Sequence, residues 1–254
     1  MNYNSKLTTR EHKFILWFSF FLIIFSLAHL GLNFYGLTQP LRKPGLGVTD
    51  KELLRFVPEN VWSYEESLEN IESLHGEASS KTLAEKANII VNNSLIHPKW
   101  SQIDPEEYRQ LIPIWENPYL YLLGNFSSMP QFNRYFFVDR DRRIERGIAI
   151  CGGASTTLSS ILNSNNINSR IVSFHGHVVV EYEDDNGNWL LLDPDFGVSL
   201  GYSLEDLREN PSRVYQKYSN FGYNDKEIKN LIEIYGTDYA IFDDTYHFMT
   251  KRYW

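Results

Sequence analysis

The sequence predicts an α+β domain behind one N-terminal transmembrane helix. Three patterns carry this reading: an uncharged apolar run from Phe14 to Leu32, helical periodicity from Ser63 to Ile96, and a helix–strand–turn–strand succession from Cys151 to about residue 198. The chain has 254 residues, 43% hydrophobic and 15% aromatic, enough for one sizeable core. A formal net charge of −8 and the lack of a Lys/Arg run argue against nucleic acid as a partner.

Residues 1–13 read as a polar tail. The 14–32 run contains no Asp, Glu, Lys or Arg. At ~1.5 Å per residue it covers about 28 Å, close to the hydrocarbon thickness of a bilayer. No small-x-small cleavage pattern follows it, so it reads as a retained single-pass anchor in a plasma or inner membrane. Lys6, Arg10 and Lys13 precede the run, while Arg42, Lys43 and Lys51 follow it. The short basic tail favours an inside N-terminus and an extracytoplasmic domain. Residues 33–49, with Pro40, Pro44, Gly36, Gly45 and Gly47, read as a linker to a domain over 50–254 whose core lies at about 140–200.

Within that domain, Tyr64, Leu68, Ile71 and Leu74 are spaced as one helical face. Ser80 is placed to cap a helix from Lys81 to Ile96, which Pro98 stops. Asp104-Pro105-Glu106-Glu107 predicts another helix start, with an end near Leu111. Residues 112–146 are aromatic and irregular, and Arg140–Arg146 reads as a solvated face or a loop entering a site. A helix follows from Cys151 to the Asn163–Asn168 cluster, then strands at Arg170–Phe174, His177–Glu183 and Asn188–Asp193. Asp184-Asp185-Asn186-Gly187 is a hairpin turn signal. Leu204–Arg208 and Asp225–Tyr235 complete the pattern as helices.

Cys151 is the only cysteine, so an intramolecular disulfide is excluded. A helix N-terminus supplies partial positive charge and free N–H groups, which favour a thiolate. His177 and Asp193 follow on neighbouring strands, and a thiol, an imidazole and a carboxylate in that order form a nucleophile, its base and the base's orienter. Asp193 shares a face with His177 only if paired residue numbers sum to an even number. A two-residue Asn186-Gly187 loop breaks that parity. The expected turn is therefore an odd loop with Gly187 left-handed. His175 is a rival base and Asp195 a rival orienter of the same parity. A metal could use His175, His177, Asp193 and Asp195, but no second His/Cys cluster with zinc spacing accompanies them.

At these residues the chain resembles the transglutaminase-like superfamily of papain-like cysteine enzymes. The shared features are a Cys opening a helix (Cys151), a helix-to-strand turn ending in Arg170, a His at a strand start (His177), and Trp189 ahead of Asp193-Pro194. The likeness covers about residues 140–200. The chain departs from the pattern in placing Gly147 four residues before the cysteine, in Gly152-Gly153 after it, and in the short Arg170–His177 segment. The resemblance favours Asp193 over Asp195. It implies a papain-like core, a thioester intermediate, attack on an amide or ester of a protein or peptide, no cofactor and no metal. It also implies an upstream oxyanion donor, with Gln131, Trp115 and Tyr135 as candidates. Water would make the enzyme a hydrolase, and an amine an acyltransferase. The alternative is a non-catalytic, membrane-tethered binding or assembly module of the same fold.

Overall fold

The computed structural model describes residues 8–58, 61–98, 103–134, 137 and 139–243. It divides into two compact units: Met1–Pro40 with Leu111–Arg134, and Leu41–Gln110 with Tyr135–Trp254.

Helix α1 (Thr9–Leu37) opens on a capping box between Thr8 and Glu11. None of its residues is buried, and it is long and apolar enough to cross a membrane. It takes in residues 33–37 of the expected linker, because the first helix breaker after them is Pro40. Within the rest of that stretch Leu46 is buried, in a cluster with Leu54, Ile96, Ile103, Tyr108 and Ile148.

Strand β1 (Leu54–Phe56) pairs with β2 (His97–Pro98), and between them lie α2 (Tyr64–Glu72) and α3 (Ser80–Ser94). The cap of α3 is Ser79, whose hydroxyl accepts from the Thr82 N–H, rather than Ser80. The helix expected from Pro105 is a run of turns. Asp104 still accepts from the Glu106 and Glu107 N–H groups. Arg109, however, is left-handed at φ 56, which ends the helical path after one turn.

Helix α4 (Pro118–Phe126) and a short 3₁₀ turn at Pro130–Asn133 belong to the first unit. Helix α5 (Arg140–Arg146) replaces the expected solvated loop; Asp139 caps it and left-handed Gly147 ends it. Arg143 and Arg146 are buried rather than solvated. Arg143 donates to the carbonyls of Phe137 and Thr156 and to the Thr157 hydroxyl. Burial brings its pKa down to about 10.

Helix α6 (Cys151–Ser164) leads into β3 (Ser169–Phe174), β4 (Val178–Glu183), β5 (Trp189–Asp193) and β6 (Val198–Ser199). Helices α7 (Leu204–Glu209), α8 (Val214–Asn220) and α9 (Asp225–Tyr235) follow, then β7 (Tyr239–Phe242). The five strands form one antiparallel sheet in the order β6-β5-β4-β3-β7. Alternation along β4 divides its residues between two cores. Val180 and Tyr182 pack with α2, α3 and α6, while Val179 packs with α7, α8 and α9. The architecture is therefore α+β, with a five-stranded antiparallel sheet between two helical layers, a small β1–β2 pair and a long apolar N-terminal helix.

Candidate active site

Cys151 is the first residue of α6, preceded by Ile150 in extended conformation with no side-chain cap. The first helical backbone bond is Ala154 N–H to the Ile150 carbonyl, which leaves the N–H groups of residues 151–153 without helical acceptors. These groups converge on the thiol end of the helix, and the helix dipole adds partial positive charge there. The helix is tied to the sheet one turn further on. Ser155 donates from Oγ to the Val178 carbonyl at 2.9 Å, next to His177. Gly153 is a packing requirement: a Cβ there would stand 2.9 Å from the Ala149 methyl.

His177 enters β4 from a tight turn. The Phe174 N–H donates to the His177 carbonyl at 2.8 Å across His175-Gly176, with Gly176 at φ 97. His175 is at the turn apex and exposed, whereas His177 is buried. At the other end of the strand, Glu183 pairs with Trp189, and the Asp184 N–H donates to the Asn188 carbonyl at 2.8 Å. The loop Asp185-Asn186-Gly187 is thus odd in length, with Gly187 at φ 80. The even register puts Asp193 on the face shared by His177 and Val179.

His177 Nε2 lies 2.7 Å from Asp193 Oδ2. Cys151 lines the same cleft as the imidazole, and its sulfur is near enough to contribute to the ring's raised pKa. Burial alone would lower the ring's pKa. The Asp193 charge and hydrogen bond, then the Cys151 sulfur, outweigh it and hold the ring well above the ordinary histidine value.

The carboxylate of Asp193 is itself enclosed. Its Oδ2 accepts from Tyr218 Oη at 2.5 Å, and Tyr235 Oη lies 3.4 Å away. Oδ1 accepts from the Asp195 N–H at 3.2 Å. Both tyrosines have pKa values well above the usual phenol; burial is the main cause, and the Asp193 charge adds to it. They therefore act as donors to the carboxylate. Edge-on contacts of Phe196 and Tyr235 wall the His177 ring, at 5.7 and 6.3 Å between centroids.

A second pair faces the same cleft. Asp195 holds His97, Oδ1 to Nδ1 at 2.5 Å, and both side chains are buried. His97 comes from β2, whose preceding residue Ile96 bridges Ile148 just ahead of the cysteine. Asn92 on α3 donates to the carbonyls of Pro194 and Asp195, fixing the loop that carries both aspartates. The cleft, about 400 Å³, is lined by half-buried Cys151, by His177, His97 and Asp195, and by Glu227 and Asn230 of α9.

Arg170 and Trp189 meet away from the thiol. Arg170 pairs with buried Glu181 at 2.7 Å and stacks 4.1 Å over the Trp189 ring, which makes them supports of the hairpin. Of the three upstream donor candidates, Trp115 packs edge-on to Tyr35 in the first unit. Tyr135 and the Gln131 side chain lie outside the described residues. His97, Asn92, Tyr218 and Tyr235 carry no local sequence signal. Asp195 pairs with His97 rather than with His177, and His175 is off the cleft. Among the described residues no group of three or more His, Cys, Asp and Glu is placed to hold a metal ion. No family model, curated protein or solved structure matches the chain.

Proposed function

We propose that this chain is a membrane-anchored, transglutaminase-like cysteine enzyme with a papain-like core. It would attack an amide or ester carbonyl of a protein or peptide through a thioester. The observation that carries this reading is an imidazole held by an enclosed carboxylate and sharing one cleft with a thiol at a helix N-terminus.

In this mechanism His177 takes the proton of Cys151, and Asp193 orients and stabilises the imidazolium. The thiolate sulfur bonds to the carbonyl carbon, and the oxygen becomes an oxyanion. The Cys151 N–H and the neighbouring first-turn N–H groups are its backbone donors. His97, braced through Nδ1 by Asp195, lines the same cleft, and as an imidazolium it would offer Nε2–H as the side-chain donor to the oxyanion. His177 then protonates the departing amine or alcohol as the carbon–heteroatom bond breaks, leaving a thioester. Water or an amine loses its proton to His177 and displaces the sulfur, giving an acid or a new amide and restoring the thiol. Helix α1 anchors the enzyme, with the domain on the extracytoplasmic side, in a plasma or inner membrane.

Alkylation of the native chain in detergent by iodoacetamide near neutral pH tests the reading. Cys151 should react faster than in the urea-denatured chain, and His177→Ala should slow it by roughly tenfold or more. Equal rates in the native, variant and denatured proteins would mean an inert thiol and a non-catalytic module.

A further inference from the structure

The first unit holds an apolar surface that the catalytic reading leaves unused. From Asn117 to Asn133 the chain has no charged residue. Helix α4 in this stretch exposes Tyr119, Leu122 and Phe126, spaced three and four residues apart, and Met129 continues the row past the helix end. Their exposures are 61, 49, 80 and 40%. This is one helical face turned outward.

The stripe is fastened to one level of α1. Tyr119 Oη and His29 Nε2 share a hydrogen bond at 3.1 Å, and their rings stack 5.4 Å apart. Trp115 meets Tyr35 edge-on at 5.4 Å, and Gly36 lets it approach, since a Cβ there would lie 3.1 Å from the indole. Residues 29–36 straddle the end of the apolar run at Leu32. Counting ~1.5 Å per residue from Phe14, the hydrocarbon layer ends near Leu32, and the next turns of α1 fall at the headgroups. Tyr and Trp rings favour that level, and an amphipathic helix beside it can bury its apolar face in the acyl boundary.

We infer that α4 and the turn after it lie in the membrane interface beside the end of α1, with Leu122, Phe126 and Met129 seated among lipid chains. The partner is the bilayer that α1 crosses, so the inference rests on α1 being a span. The lipid contact is then two-part, a crossing helix and a surface helix linked through Tyr119 and Trp115.

The test uses full-length Cys151→Ser protein, which has no other thiol, in phosphatidylcholine vesicles. A polarity-sensitive fluorophore is placed in turn at Leu22→Cys in the span, Phe126→Cys, and Lys226→Cys on α9. The Phe126 label should be blue-shifted and quenched by brominated lipid severalfold more than the Lys226 label. If it matches the Lys226 label while Leu22 is strongly quenched, the interface is refuted and the span survives. A water-exposed Leu22 label removes the span and this inference with it. Because a label can insert by itself, a second reporter at Ser128→Cys is read with Leu122 and Phe126 both changed to Asp. Its quenching should fall severalfold, and unchanged quenching overturns the inference.

Discussion

Asp193 is the residue on which the proposed chemistry turns, because three separate segments converge on its carboxylate. Tyr218→Phe removes the 2.5 Å donor while keeping the ring. A hydrogen bond to a charged group contributes about 1.5–3 kcal/mol, so this variant should lose about 2 kcal/mol in urea unfolding and slow thiol alkylation; a neutral result would make the tyrosine a bystander. The raised pKa of His177 has its own signature. A group whose folded pKa exceeds its unfolded value gives stability that is complete below the unfolded value and lost as pH climbs through the folded one. The advantage of the native chain over His177→Gln should therefore be larger at about pH 6 than at about pH 10. An advantage independent of pH would contradict the stated cause. The sequence allowed the thiol, imidazole and carboxylate to be placed together, because strand parity constrains two of them. It did not reveal Tyr218, Tyr235, Asn92 or His97, which reach the site from distant segments through tertiary packing.

Among the elements, helix α6 and the hairpin β4–β5 were legible because each rests on local rules. A helix opening at Cys151, a left-handed glycine and an odd loop are all written in a few adjacent residues. Helix α5 was not, since seven residues containing four arginines and two acids look solvated. What hides inside that composition is Arg143, which satisfies carbonyls of Phe137 and Thr156 and so braces α5 against α6. Arg143→Ala leaves those buried acceptors without their donor. It should cost about 3 kcal/mol in chemical unfolding, far more than Arg140→Ala on the same helix. Similar losses for the two arginines would show that the buried bonds contribute little. The helix expected after Asp104 failed for a local reason that propensity does not encode: one residue, Arg109, in the left-handed region.

For the molecule as a whole, the α+β class could be read from periodicity, and the long apolar helix from composition. The partition into two units could not, because one unit joins segments separated by 70 residues of the other, from Leu41 to Gln110. The second segment leaves and returns at nearly one point. Leu111 bridges Arg134 in antiparallel fashion, and the Ile112 N–H donates to the Asn133 carbonyl at 2.8 Å. Such a pinched neck makes residues 113–132 a removable cassette. Replacing them with a short Gly-Ser turn should yield a chain that still folds cooperatively and still presents a fast-reacting thiol, since joining ends already adjacent adds little closure entropy. Loss of the cooperative transition on excision would mean that the cassette is part of the folding unit rather than an accessory grafted onto it.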